Sequence, residues 1–117
     1  MFDAIEEGIT VTDLNGCILE ANLATVRALG YSSKEELIGH CGLEFISKRD
    51  RDRCANDMME AVKTGQHKMA EYTFIDKDGR EYDGWASGTL LRDSSGEPMG
   101  FLNVSKTTTK PKASTIR

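Results

Sequence analysis

A β-hairpin that leads directly into a capped helix is the most constraining feature of this chain. Two short β-prone runs, residues 8–12 and 17–21, flank the sequence Asp-Leu-Asn-Gly at residues 13–16. An Asn-Gly pair accepts the positive φ angles that a tight hairpin turn requires. Asn22 follows the second run and can cap a helix over residues 23–29 with its side-chain oxygen, and Gly30 is suited to end that helix.

Beyond the hairpin, the hydrophobic pattern is helical up to the end of the longest helix and then alternates as in β-strands. A short lead-in helix is expected over residues 2–7. After the first helix, a capping box beginning at Ser32 or Ser33 predicts one or two helical turns, and a further short turn follows at residues 43–46. The longest helix is predicted over residues 49–63, where one apolar stripe is formed by Cys54, Met58, Ala61 and Val62.

Three strands are predicted after the long helix. They cover residues 68–75, 80–93 and 99–106, and turns at residues 76–79 and 93–98 separate them. This order indicates an α+β domain with an antiparallel sheet and helices on one face, in which the last strand lies beside the first. Residues 1–106 are expected to form the domain, and the polar residues 107–117 a linker or tail.

Composition narrows the classes of function. A chain of 117 residues with a net charge of −4 is expected to be one domain without a nucleic-acid-binding surface. It has no apolar run long enough for a membrane span and no signal peptide, so we expect no membrane contact by this segment. Three cysteines without metal-binding spacing favour reduced thiols in a cytoplasmic protein.

The order of these motifs resembles that of a PAS domain over nearly the whole chain. The matching pieces are Asp-Leu-Asn-Gly at 13–16 with Ala21-Asn22, Leu-Gly-Tyr-Ser at 29–32 with Glu-Glu-Leu-Ile-Gly at 35–39, Arg-Asp-Arg at 51–53, Thr64-Gly65, Lys-Asp-Gly-Arg at 77–80, and Arg92-Asp93 with Gly-Glu-Pro-Met-Gly-Phe at 96–101. The resemblance implies a five-stranded antiparallel sheet in the order 2-1-5-4-3, with helices on one face. Many members end in Asp-Ile-Thr, where this chain has Thr107-Thr108-Thr109, so the joint to a following signalling helix is altered.

Two cofactor-binding types within the family were considered. Haem-binding members take an axial His from the longest helix, where this chain has Cys54. A thiolate can bind haem iron. The position of Cys54 on the apolar stripe nevertheless favours a role as a small hydrophobic core residue. Flavin photosensors carry a reactive Cys in Gly-x-Asn-Cys-Arg-Phe-Leu. The run at residues 39–45 places Cys41 one residue early and lacks the Asn and Arg, and Ser105 occupies the position of the usual Gln. No cofactor is therefore predicted.

No metal site or catalytic site is predicted either. His40 and Cys41 are adjacent, so they cannot easily aim at one ion, and no second ligand pair has the usual spacing. No nucleophile and base stand out together, so the chain is not expected to be an enzyme. Asp13, Asp78 and Asp93 are better explained by hydrogen bonding within turns.

The faces of the strands predict a ligand pocket and a dimer surface. By the family's register, small residues of the fourth strand and polar residues of the fifth face the helices, opposite residues of the long helix. The candidate pocket residues are Phe45, Cys54, Met58, Tyr72, Ala86, Gly88, Asn103 and Ser105. The opposite face of the sheet is expected to be apolar and to be covered by the lead-in helix, by a second copy of the chain, or by both. A homodimer is predicted through the lead-in helix and this face, whose residues are Ile9, Val11, Trp85, Leu102 and Val104.

These expectations give one leading function and two alternatives. The resemblance implies a sensory or signal-transfer module of a larger two-component signalling protein, such as a histidine kinase. Such a module binds a small ligand or partner and relays a conformational shift to an effector domain outside this chain. The alternatives are a ligand-free dimerisation module in which Met58, Phe45 and Tyr72 fill the core, and a haem or redox sensor that uses Cys54.

Overall fold

The computed structural model describes residues 7–65 and 68–108 of the chain. Most of the predicted lead-in helix and residues 109–117 of the predicted tail lie outside this range. Two 3-10 turns precede the long helix, the first over Lys34–Glu36 and the second over Gly42–Phe45. The strands and α-helices are β1 (Gly8–Asp13), β2 (Ile18–Ala21), α1 (Leu23–Ala28), α2 (Lys48–Thr64), β3 (Lys68–Ile75), β4 (Glu81–Arg92) and β5 (Pro98–Thr107).

The five strands form one antiparallel sheet in the order β2-β1-β5-β4-β3, which confirms the predicted topology. The first and last strands are neighbours at the centre of the sheet. Their register places Ile9 opposite Val104 and Val11 opposite Leu102. β5 ends at Thr107, one residue beyond the predicted strand, and the backbone N–H of Thr108 donates to the carbonyl oxygen of Asp83 at 2.8 Å.

An aspartate closes each of the three hairpins in the same way. Asp13, Asp76 and Asp93 each accept hydrogen bonds through Oδ1 from the backbone N–H groups two and four residues later, at 2.9 to 3.0 Å. The glycine three residues after each aspartate has a φ of 85–90°, which favours glycine. The predicted turn role is therefore correct for Asp13 and Asp93, but in the second hairpin it belongs to Asp76 rather than Asp78.

Caps fix the ends of the helices where the sequence predicted them. Asn22 Oδ1 accepts a hydrogen bond from the backbone N–H of Thr25 at 3.1 Å, which satisfies one free donor at the start of α1. α2 ends at Gly65, whose φ of 70° lies in the left-handed region. Ala61 is the most buried member of the predicted stripe of α2, while Val62 is exposed. The stripe was therefore predicted one residue too wide.

The helices and the 3-10 turns cover one face of the sheet through two separate groups of buried side chains. The first group joins β2, α1 and the 3-10 turns and consists of Ile18, Ala21, Val26, Leu29, Leu37 and Phe45. The second joins α2 to β3 and consists of Ile46, Tyr72 and Phe74. Because the two groups do not merge, space remains between them above the central strands. None of the helices in the described part of the chain has the length and apolar character needed to cross a membrane.

Candidate functional site

A cavity of about 450 Å³ lies between the central strands and the covering helices. Its volume is in the range of small-molecule sites, which is about 300–1,000 Å³. Ile18 and Leu29 of the first core group and Phe74 of the second contribute to its walls, so the cavity lies where the two groups fail to meet.

The structure brings six of the eight predicted pocket residues together around this cavity. Four of the six come from the two central elements that face each other, α2 and β5. The six are Phe45, Cys54, Met58, Ala86, Asn103 and Ser105.

The other two predicted residues, Tyr72 and Gly88, lie beside the cavity. Tyr72 is buried in the second core group, and its hydroxyl donates a hydrogen bond to Asp57 of α2. Burial and the Asp57 carboxylate raise the pKa of Tyr72, so its hydroxyl remains protonated. Gly88 lies against Asn103: a Cβ at Gly88 would be 3.1 Å from Asn103 Oδ1. Gly88 therefore leaves room for the Asn103 side chain.

The central strands give the cavity a polar floor. Asn103 Nδ2 donates a hydrogen bond to Thr10 Oγ1 at 3.2 Å, across the pair of β5 with β1. Thr12 lies two residues further along the same face of β1 and is only 4% exposed. Its hydroxyl has no hydrogen-bond partner among the residues that the structure describes. A buried hydroxyl without a hydrogen-bond partner is costly, so we expect this hydroxyl to lower the stability of the protein.

Sequence reasoning did not assign the β1 side of this floor. Gly8, Thr10 and Thr12 line the cavity, and they alternate with Ile9 and Val11, which were predicted to point outward. The period of two therefore carried the signal, because residues between two outward-facing positions must face inward.

Gly8 lets two hydroxyl-bearing side chains approach the end of β1. A Cβ at this position would lie 2.7 Å from Thr25 Oγ1 and 3.1 Å from Ser105 Oγ, so a larger residue would have to displace one of them. Thr25 Oγ1 is already bonded to Asn22 Oδ1 at 2.9 Å. Gly8 thus permits the close packing of α1 on β1 and β5 at this edge of the cavity.

The remaining walls are mostly apolar. They come from the second 3-10 turn, α2 and β3, and include Leu43, Ile46, Met58 and Phe74. Cys54 lies in this wall, and burial raises the pKa of its thiol, so the sulfur is a neutral thiol at neutral pH. A neutral thiol is a poor ligand for haem iron, which favours the packing role for Cys54.

The charged side chains at the cavity are both basic. No acidic residue lines it among the described residues, and Arg27 and Lys106 are the two basic residues that do. Arg27 is exposed on α1. His40 lies outside the cavity, and its Nδ1 is 3.2 Å from Glu44 Oε1. Within residues 7–65 and 68–108, no group of three metal-ligating side chains comes close enough to hold an ion.

The predicted dimer residues share the face of the sheet opposite the cavity. The register pairs Ile9 with Val104 and Val11 with Leu102, and it places Trp85 opposite Lys106 at the same edge. Ile9 is 40% exposed and the other four are half-buried. This outer face, formed by Ile9, Val11, Trp85, Leu102 and Val104, is accessible in the described part of the chain.

Known structures resemble this fold closely. The PAS domain of a Colwellia psychrerythraea protein has a TM-score of 0.83 at 25% sequence identity, over 92% of this chain and 91% of that one. Drosophila melanogaster Cycle PAS-B with bound ethylene glycol has a TM-score of 0.77 at 12% identity, over 86% and 99%. A Vibrio cholerae VqmA dimer has a TM-score of 0.74 at 21% identity, over 92% of this chain and 50% of that chain.

Sequence similarity supports the structural similarity. No curated protein sequence matches the chain. The model of the PAS fold family matches residues 18–105, which is most of the chain and includes both helices, the strands β2 to β4 and most of β5. β1 precedes the matched range. The chain therefore belongs to the PAS-fold family.

Proposed function

We propose that this PAS domain is a sensory module that binds a small neutral ligand in the cavity and relays its presence to an effector outside the chain. The observation that supports this proposal most directly is the cavity of about 450 Å³, whose polar floor includes Thr12. The hydrogen-bonded pair of Asn103 and Thr10 lies next to it on the same floor. Three polar side chains under an apolar roof suit a molecule with one polar end and one apolar end.

The size of the cavity limits that molecule. At about 30 Å³ for each water-sized group, a cavity of about 450 Å³ has room for roughly 15 non-hydrogen atoms. An anionic ligand would have to reach Arg27 on the exposed surface of α1 or Lys106 near the end of β5, because the other described lining residues are uncharged. Bound ethylene glycol in Drosophila Cycle PAS-B is a small neutral polyol, and it supports this class of ligand here.

Nuclear magnetic resonance with two neutral probes tests the binding site. Indole and cyclohexanol each join an apolar body to one hydrogen-bonding group, and we expect both to shift the amide resonances of Thr10, Thr12 and Asn103. The variant Ala86→Leu fills part of the cavity and should lose this response, whereas Met99→Leu, at a position 54% exposed, should keep it. Shifts confined to Ile9, Leu102 and Val104, or none, would contradict the cavity as the binding site.

The outer face supports a second, compatible role in dimerisation. We infer that a second copy of the chain covers Ile9, Val11, Trp85, Leu102 and Val104, since monomers seldom leave a contiguous apolar patch exposed. The VqmA structure, which shares this fold, is a dimer. A symmetric dimer would use this face twice.

Sedimentation at micromolar concentration tests the dimer. Val104→Glu places a charge at the centre of the outer face and should give a folded monomer. Leu14→Glu adds the same charge at an apolar side chain in the β1–β2 turn, which is 42% exposed, and should leave the dimer intact. A monomeric parent protein, or a folded Val104→Glu dimer, would rule out this face as the interface.

The parent protein is proposed to be a histidine kinase of a two-component system. The support for this assignment is the resemblance of the chain to sensory modules, whose output lies in a separate domain. Sequencing the gene on both sides of the region that encodes residues 1–117 tests it. A histidine kinase encoded in the same reading frame would support the assignment, and a different effector would contradict it.

A further inference from the structure

Two of the three cysteines face each other across a short antiparallel bridge. Cys17, just before β2, and Cys41, just before the second 3-10 turn, are bridge partners although 24 positions separate them in the sequence. The backbone N–H of Ile18 donates to the carbonyl oxygen of His40 at 2.9 Å, and that of Gly42 donates to the carbonyl oxygen of Gly16 at 2.8 Å. These two bonds hold the pair from both sides.

The hydrogen bonds around Cys17 and Cys41 define which of the two types of antiparallel residue pair they form. The bridging bonds are made by the residues on either side of each cysteine, while the Cys17 carbonyl oxygen accepts from Asp13 and the Cys41 carbonyl oxygen accepts from Glu44. Cys17 and Cys41 are therefore a non-hydrogen-bonded antiparallel pair, in which the Cα atoms lie about 4.5 Å apart and the side chains share a face. Disulfides require a Cα separation of roughly 4.4–6.8 Å, so this pair can be joined without moving the backbone.

The thiols are also placed to react. Both cysteines are half-buried, so each is reachable from solvent. Cys41 Sγ points toward the hairpin, since it lies 3.9 Å from the position a Cβ would take at Gly16. The Asp13 carboxylate, and to a smaller extent burial and the Cys41 thiol, raise the pKa of Cys17.

We propose that Cys17 and Cys41 form a reversible disulfide when the protein meets a peroxide. In the first step the Cys41 thiolate attacks one peroxide oxygen; an S–O bond forms, the O–O bond breaks, and the departing oxygen takes up a proton as water. In the second step the Cys17 thiolate attacks the Cys41 sulfur; the S–S bond forms, the S–O bond breaks, and a second water leaves with the proton of the Cys17 thiol. The two thiols lose two electrons in total, and the peroxide gains them.

The crosslink would act on the wall of the cavity. Gly16 and Gly42, the neighbours of the two cysteines, both line it. A disulfide would fix the β1–β2 turn to the second 3-10 turn and so restrict movement of that wall. The disulfide itself is independent of the proposed ligand function, and only its effect on ligand binding depends on that function.

Cys54 serves as the control cysteine because its surroundings differ from those of Cys17 and Cys41. It lies on α2 against the second core group, which includes Tyr72 of β3, and burial raises the pKa of its thiol. It has no cysteine as a bridge partner in the described part of the chain. We therefore expect Cys54 to remain a free thiol under the same oxidation.

Peptide mapping of the full chain tests the pairing. The reduced protein is treated with one equivalent of hydrogen peroxide, and we expect the intact mass to fall by two hydrogen atoms and dithiothreitol to restore it. Trypsin cuts after Arg27, Lys34 and Lys48, so the product should join the peptide ending at Arg27 to the peptide of residues 35–48. Oxidation should also raise the melting temperature by roughly 5–15 °C, because the disulfide closes a loop of about 25 residues.

Three variants make the result decisive. Cys54→Ser should form the same crosslink as the parent, while Cys17→Ser and Cys41→Ser should not lose the two hydrogen atoms. A crosslink to Cys54, a crosslink between chains alone, or unchanged oxidation of Cys17→Ser would overturn the proposal. If either serine variant fails to fold, Cys17→Ala or Cys41→Ala replaces it, and the peptide map of the parent protein still decides the pairing. Because the map requires no ligand, it is unaffected by a failure of the indole test.

Discussion

Two threonines on the same face of β1 should respond in opposite directions to the same substitution. Thr12 has a buried hydroxyl without a partner in the described structure, whereas the hydroxyl of Thr10 accepts a hydrogen bond from Asn103. Valine has nearly the same shape as threonine but lacks the hydroxyl. Thr12→Val therefore removes an unsatisfied group, and Thr10→Val removes a bond and leaves an amide donor without its acceptor.

The expected magnitudes follow from the cost of unpaired polar groups. Burying a hydroxyl without a partner costs about 1–3 kcal/mol, and a neutral hydrogen bond contributes about 0.5–1.5 kcal/mol. Thr12→Val should raise the free energy of unfolding by about 1–2 kcal/mol, and Thr10→Val should lower it by about 0.5–1.5 kcal/mol. With a urea m-value of about 1–3 kcal/mol per molar, the two midpoints should differ by roughly 1 M.

Urea unfolding followed by fluorescence of Trp85, the single tryptophan, measures both variants. Thr12→Ser is the control: it keeps the unpaired hydroxyl, loses a methyl group, and should be less stable than the parent. If Thr12→Val loses as much stability as Thr10→Val, the Thr12 hydroxyl is satisfied in solution and the reasoning is wrong.

Three further outcomes can be measured on the same protein. Met58→Ala should lower the free energy of unfolding by less than about 1.5 kcal/mol, because Met58 lines the cavity. Phe45→Ala, in the first core group, should lower it by about 3–5 kcal/mol. Equal decreases in urea unfolding would mean that Met58 is packed as a core residue. Burial alone would raise the pKa of Asp50, but the Thr73 N–H at 2.8 Å and Arg53 at 3.4 Å hold that pKa below its ordinary value. The ionised Asp50 therefore stabilises the folded protein above a pH of about 4. This stabilisation is lost as the pH falls through the folded-state pKa. Asp50→Asn should therefore show a shallower loss of melting temperature on acidification, and a slope equal to that of the parent would exclude Asp50 as a cause. The purified protein should be colourless, because the buried Cys54 is a neutral thiol; a stoichiometric Soret or flavin band in its absorption spectrum would contradict this.

The fold was predictable because its signals are local. Each hairpin is set by an aspartate and a glycine three residues apart, and α1 by a cap at Asn22, so a few neighbouring residues decide each turn and helix end. The period of two then assigns the faces of the strands, and the order 2-1-5-4-3 followed from the resemblance that these motifs carry. The choice of Asp78 over Asp76 shows the limit of this reasoning, because both flank the same turn and only the backbone path selects the acceptor.

The site was less predictable because it depends on contacts between distant segments. Tyr72 and Gly88 have the predicted inward parity, yet the position of α2 decides whether an inward side chain reaches the cavity or the core beside it. The pairing of Cys17 with Cys41 was missed for a related reason: Cys41 lies in an irregular loop, and no periodicity connects it to β2. Sequence spacing alone indicated three unrelated thiols.

β5, like β1, contributes side chains both to the cavity and to the outer face. Its side chains alternate, so Asn103 and Ser105 face the cavity while Leu102 and Val104 belong to the outer face. Because β5 is hydrogen-bonded to β1 on one side and to β4 on the other, we expect a ligand that draws Asn103 inward to move Leu102 and Val104 as well. The altered joint is tied into the same ladder, since Thr108 donates to Asp83 at 2.8 Å beyond the end of β5. A shift of β5 is thus carried by the backbone as far as residue 108, whatever the side chains of the three threonines contribute.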